Sequence, residues 1–201
     1  GGGGIPARLF RISFSGELAY ELAVPAAYGD AAWRAIMQAG SRHGITAYGS
    51  EALSVMRIEK GHAAGAEING QTTARDLGLG GMLAQKKDYI GRLMKERPAL
   101  VDPDRPILVG FRPVDPSARL RAGAHFLGLD AEPSLEADEG VMTSVAYSPS
   151  LKSWIGIGLI RRGPERHGER VRAYDPVRDG DVEVEICSPV FVDPKEEKLR
   201  V

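Results

Sequence analysis

Glu21 is the carboxylate in this sequence whose surroundings suit a binding role. It lies between Ala19 and Ala23 on one parity of an alternating segment, while Tyr20, Leu22 and Val24 occupy the other. Alternate residues of a strand point to opposite faces, so Glu21 shares its face with side chains small enough to admit a flat ring. In the preceding segment Arg11 and Ser13 stand in the same relation to Phe10, Ile12 and Phe14. Together the two segments predict a sheet face that is charged, small and open. Left in water, such a face needs no ligand. Covered by another domain, it presents a carboxylate to the paired N–H donors of an aminopyrimidine-type edge, a charge-assisted arrangement. Spacing alone leaves both readings open.

Other chemistry-bearing residues carry less. Cys187 is a single cysteine, so it forms no internal disulfide, and with no histidine near it in sequence it reads as an inert, buried thiol. His43, His62, His125 and His167 lack metal-ligand spacing. Gly163 and Gly168 have the spacing of a phosphate loop, but Glu169-Arg170 replaces the required lysine and hydroxyl. A dinucleotide fingerprint begun by Gly78 and Gly80 fails at Leu83. The arginines between 161 and 172 are interleaved with Glu165 and Glu169 and read as a solvated turn. No catalytic residue and no metal site are assigned.

The elements that must position Glu21 form an α+β pattern. Leu9–Phe14 and Tyr20–Val24 predict a β-hairpin turning at Ser15-Gly16. Asp30 caps an expected helix whose Trp33, Ile36 and Met37 recur at helical spacing up to Gly40. Ile45–Tyr48 reads as a short strand, Ser50 as the cap of a second helix ended by Gly61, and 62–81 as a glycine-rich loop. A further helix is expected from Tyr89 to Arg97, stopped by Pro98. Pro98, Pro103 and Pro106 then mark a boundary. Beyond it, 106–111, 141–147, 154–160, 169–174 and 182–186 read as short strands with Asp-Pro turns at 115, 175 and 193, giving a small antiparallel barrel or sandwich. The expected division is 1–4 as linker or expression scar, 5–97 as an α/β layer, 98–105 as linker and 106–201 as barrel. A strand pattern starting so close to the glycine run reads as a piece of a longer chain.

Composition narrows the classes. Of 201 residues, 43% are hydrophobic and 26% charged, the profile of a folding globular chain, and a net charge of -1 provides no field for nucleic acid or anionic membrane. With one cysteine and no run of 18 apolar residues, a cytoplasmic setting is expected.

Phe14-Ser15-Gly16-Glu17-Leu18-Ala19-Tyr20-Glu21 resembles the Tyr/Phe–Thr/Ser–Gly–Glu–x–Gly–x–Glu hairpin of the aminomethyltransferase, or glycine-cleavage T-protein, superfamily. Gly49–Leu53 with Arg57–Gly61, Asp76–Gly80, Lys86–Gly91 and Thr143–Leu151 follow in the family's order. Arg57-Ile58-Glu59-Lys60-Gly61, the Lys86–Gly91 run and the ending Ser188–Pro194 are most similar to the α-subunit branch of heterotetrameric sarcosine oxidases. The resemblance implies the later part of a tetrahydrofolate-binding α/β layer followed by a barrel, with Glu21 at the pterin-binding glutamate and Phe14, Tyr20 and Gly81 as further folate contacts. It implies that folate accepts the one-carbon unit of oxidised sarcosine to give 5,10-methylenetetrahydrofolate. FAD, FMN and NAD then belong to the parent complex, with the remaining α-subunit domains and the β, γ and δ subunits as partners. The family's catalytic aspartate lies upstream of the hairpin, which implies that this piece is inactive alone. Leu53, Gly81 and Leu108 depart from the family's Arg, Trp and Arg. A free-standing aminomethyltransferase and a non-catalytic module that kept the fold are the alternative readings.

Overall fold

The computed structural model describes residues 4–178 and 180–200, so most of the opening glycine run lies outside the described residues. The first alternating segments form an antiparallel pair, β1 (Arg8–Phe10) and β2 (Glu21–Ala23), in the register Arg8↔Ala23, Leu9↔Leu22 and Phe10↔Glu21. Residues directly opposite one another share a face. Phe10 therefore lies on the Glu21 side, and Leu9 lies with Leu22 on the other. The expected segregation into one polar and one aromatic face is thus not what forms. Each strand alternates as read, but the register pairs the polar parity of β2 with the aromatic parity of β1.

Helix α1 (Gly29–Gly40) includes Asp30 in its first turn, where it pairs with Arg34 at 2.8 Å rather than capping. Helix α2 (Ser50–Glu59) likewise starts at Ser50, with Gly49 in the cap position. The strand expected at 45–48 does not form: among the described residues no strand pairs with it, and the Ile45 amide instead bonds the Gly40 carbonyl at the end of α1. The helix expected at 89–97 is replaced by turns. Gly91 adopts φ +89°, outside the right-handed helix, and the chain then makes only a 3₁₀ turn at Met94–Glu96. Pro98 opens the short helix α3 (Pro98–Val101) rather than ending one, because a first helical residue needs no amide donor.

Six antiparallel strands close the barrel: β3 (Pro106–Pro113), β4 (His125–Leu127), β5 (Gly140–Ser148), β6 (Ser153–Arg161), β7 (Arg170–Asp175) and β8 (Gly180–Cys187), in the order β3-β6-β5-β4-β7-β8. β4 escapes sequence reading because three residues show no period. Val109, Phe111, Leu120, Phe126, Met142, Val171, Val184 and Ile186 fill the interior, with the Phe111 and Phe126 rings stacked at 4.0 Å. On the outer wall Leu108, Ala146, Ile155, Ile157 and Leu159 pack against Ile58 of α2, Leu77 and Phe191.

A bulge in β5 lets one strand serve both layers. Met142 pairs with Gly158 and Ser144 with Ile157, which leaves Thr143 as an extra residue. An extra residue shifts the side-chain parity by one. Met142 points into the barrel, whereas Ser144 and Ala146 beyond the bulge face α2, and Val145 takes over the interior side.

Asp76 and Arg105 form a second tie between the layers. The Asp76 carboxylate accepts from Arg105 Nη2 at 2.6 Å and from the Thr73 amide at 2.9 Å, while its carbonyl accepts the Leu108 amide of β3. Burial pushes this carboxyl up, but the bonds from Arg105 and Thr73 outweigh it and hold it below the ordinary 3.8. A depressed folded-state pKa gives stability that is present above the unfolded value and lost as pH falls through the folded one. Between about pH 5 and pH 2, Asp76→Asn is therefore expected to flatten the acid loss of stability relative to wild type, as read from denaturation midpoints at each pH. Parallel acid limbs in the two proteins would assign the loss to other carboxylates.

No helix among the described residues is long and apolar enough to cross a membrane.

Candidate functional site

The loop between β1 and β2 carries Phe14 and leads into Glu21. Loop residues lose conformational freedom only where something holds them, and here several elements do. Within the loop, the Gly16 amide bonds Ser13 Oγ at 3.0 Å. Gly16 adopts φ +84° and lies against Lys60, so a Cβ at this position would meet the Lys60 side chain. The C-terminal tail supplies further ties: Arg11 donates to the Leu199 carbonyl at 2.7 Å, the Leu18 amide to the Lys198 carbonyl, and Lys198 Nζ to Glu17 at 3.1 Å. His62, just past the end of α2, meets Phe14 through its ring and through a 2.9 Å contact from Nδ1 to the Phe14 carbonyl.

Beneath this loop two charged clusters connect α2 to the barrel. Glu67 is fully buried and accepts from Arg57 Nη1 at 3.0 Å, from the Ala64 amide at 2.8 Å and from the Ser144 hydroxyl, while Arg57 Nη2 donates to Ser144 Oγ at 2.7 Å. Glu59 accepts from Ser148 Oγ, and Lys60 Nζ donates to the Asp193 carbonyl at 2.7 Å. Arg57 pairs with Glu67 and Lys60 with Asp193, while Glu59 is met by the neutral Ser148 hydroxyl, so each buried charge has a hydrogen-bonding partner, the condition for burying such groups at all. The sequence reading singled out the segment containing Arg57, Glu59 and Lys60 as a motif but missed Glu67 as a partner. The partnership spans 77 positions to Ser144 and leaves no local periodicity to detect.

Glu21 sits in β2 directly across from Phe10, and both are exposed. No side-chain hydrogen bond or ion pair among the described residues uses the Glu21 carboxylate, whereas Glu17 is held by Lys198. Tyr20 is exposed beside it, and Phe14 is half-buried against His62. Gly81 is exposed in the 3₁₀ turn Gly80–Met82. Phe10 is the residue that sequence parity missed, since only the cross-strand register reveals it as the neighbour of Glu21. A free carboxylate flanked by Phe10 and Ala23 can accept two N–H donors from a flat ring lying on the aromatic face. Leu53 is half-buried in α2, and Leu108 is 6% exposed within the outer-wall cluster. A separate cleft of about 430 Å³ is lined by Leu83, Tyr89, Met94 and Leu100 and includes none of the hairpin residues.

Cys187 is partly buried, and its thiol is pushed up to about 11 by burial against the opposing influence of Arg112. That suppresses the thiolate and suits an inert side chain. Among the described residues no cluster of three or more His, Cys, Asp or Glu side chains could hold a metal ion.

Two family models match the chain. Residues 2–87 match the GCVT N-terminal domain and residues 107–193 match the glycine cleavage T-protein C-terminal barrel domain. The chain is 50% identical over its whole length to a protein of Rhizobium meliloti (strain 1021) named sarcosine oxidase subunit alpha, and covers 20% of it. A protein of the same name from Corynebacterium sp. (strain U-96) is 39% identical over 96% of the chain, again with 20% of that protein covered. An aminomethyltransferase of Halothermothrix orenii is 30% identical over 90% of the chain and 49% of its own length. The chain thus spans about a fifth of the length of the sarcosine oxidase subunits it matches. The crystal structure of aminomethyltransferase T of the glycine cleavage system from Bartonella henselae superposes with a TM-score of 0.75 at 24% identity, covering 92% of this chain and 49% of that one, and so shares the fold. With an α/β layer and a closed barrel that match the two domains of this family in order, and with identity along its full length to T-protein-like segments, the chain belongs to the glycine-cleavage T-protein family.

Proposed function

We propose that this chain is the tetrahydrofolate-binding part of a sarcosine oxidase α subunit. In this reading Glu21 accepts the N–H edge of the pterin, Phe14, Tyr20 and Gly81 belong to the same site, and folate takes up the one-carbon unit of oxidised sarcosine as 5,10-methylenetetrahydrofolate. Lobes 5–97 and 106–201 meet at 98–105. FAD, FMN and NAD act elsewhere in the parent complex, whose remaining α-subunit domains and β, γ and δ subunits are the partners, in the cytoplasm.

The observation that carries this reading is the Glu21 carboxylate, which has no hydrogen-bond or ion-pair partner among the described residues and lies opposite Phe10 across the hairpin. Its chemistry fits the proposed ligand: a pterin ring offers paired N–H donors on a flat body, and an acid beside an aromatic side chain meets both features. The chain's own residues bind and orient the ring.

Calorimetric titration of the assembled enzyme with tetrahydrofolate tests the reading. Saturable binding, together with a folate-dependent methylene product from sarcosine, is expected. The 201-residue chain alone is expected to form no product. Turnover by the isolated chain, or an assembled enzyme indifferent to folate, would overturn the proposal, and the second result would favour a module that kept only the fold.

A further inference from the structure

We infer that His62 is a positioning residue that fixes the Phe14 turn of the ligand hairpin to the barrel. The inference rests on the proposed folate site and concerns how that site is held. A backbone carbonyl only accepts, so the 2.9 Å contact with the Phe14 oxygen requires the proton on His62 Nδ1. The ring also packs against Phe14, with centroids 6.2 Å apart and planes tilted by 33°.

His62 can act this way because it is itself held from behind. Its amide donates to the Arg57 carbonyl at 2.9 Å, and its carbonyl accepts from Arg57 Nη1 at 3.2 Å. The same guanidinium is bound by Glu67 and by Ser144 of β5. A continuous set of bonds therefore runs from the barrel wall through Arg57 and His62 to the carbonyl of Phe14. Among the described residues the other long-range hydrogen bonds of the loop lead to the C-terminal tail at residues 198–199, so His62 supplies its hydrogen bond to the end of α2, beside the packing of Gly16 on Lys60. Without it, the turn keeps its internal Ser13–Gly16 bond but loses its bearing relative to the barrel.

The test uses the assembled enzyme carrying His62→Phe, which keeps a ring against Phe14 but has no donor, and His62→Asn, whose side-chain amide places a donor near the Nδ1 position. His62→Phe is expected to weaken tetrahydrofolate binding about 3- to 10-fold, the worth of one hydrogen bond. Sarcosine oxidation should be unchanged, and amide hydrogen exchange across residues 13–18 should be faster. His62→Asn should restore affinity to within about twofold of wild type and slow that exchange again. Equal affinity for wild type and His62→Phe, or an Asn variant as weak as the Phe variant, overturns the inference. If wild type itself binds no folate, the functional reading fails. The exchange measurement then decides the positioning role alone: unchanged exchange at 13–18 in His62→Phe overturns it, and accelerated exchange that Asn reverses supports it.

Discussion

Glu67→Ala is expected to lower the unfolding free energy of the chain by about 3–5 kcal/mol, the cost of leaving one charge of a buried pair without its partner. Glu67 is fully buried and answers three donors, while Arg57, only 10% exposed at its side chain, would keep the Ser144 hydroxyl and the His62 carbonyl but no counter-charge. Removing both charges together should cost less, because apolar replacements of similar volume need no compensation. Chemical denaturation followed by the fluorescence of Trp154, which packs against the barrel core, measures both. A loss below about 1 kcal/mol for Glu67→Ala would mean that the apolar cluster around Ile155 and Phe191 holds the seam without the ion pair.

Glu21→Gln in the assembled enzyme is expected to weaken tetrahydrofolate binding by about 1.5–3 kcal/mol, the scale of a hydrogen bond to a charged group. Glutamine keeps the shape but removes the charge and replaces one acceptor with a donor. Sarcosine oxidation should be nearly unchanged. Glu17→Gln is the control: its carboxylate is already engaged by Lys198 in a solvent-exposed pair, and such pairs contribute little. Calorimetric titration of the two variants decides between them. Equal affinity for wild type and Glu21→Gln, or a larger loss for Glu17→Gln, would return Glu21 to the status of a solvated strand residue.

Much of this architecture is legible in the sequence because it is local. Alternation locates five of the six barrel strands, proline and glycine punctuate them, and helical spacing finds α1 and α2. The misreadings at 45–48 and 89–97 share one cause: strand or helix propensity without a partner surface is too weak to decide the backbone. The Glu21 face was misjudged for a related reason. Period-2 patterning assigns faces within a strand but not between strands, and Phe10 joins Glu21 only through the register. Arg57–Glu67–Ser144 lay beyond reach because a buried charge looks, in sequence, like any exposed one.

Thr143 illustrates a different kind of constraint. As the additional residue of the β5 bulge, it contributes a count more than a chemistry. The barrel wall carries phase: even-numbered residues before it are read from inside and even-numbered residues after it from α2, while the partner strand runs on unbroken from Gly158 to Ile157. A substitution at 143 leaves that phase intact. Losing the residue would make Met142 and Ser144 successive opposite Gly158 and Ile157, so Ser144, Ala146 and Ser148 would keep their side and their partners, whereas losing Val145 would turn Ala146 and Ser148 inward and separate Glu59 from the Ser148 hydroxyl. At this position the fold is expected to forgive a loss of length that it would not forgive further along the strand, a distinction that deletion of Thr143 set beside deletion of Val145 would expose.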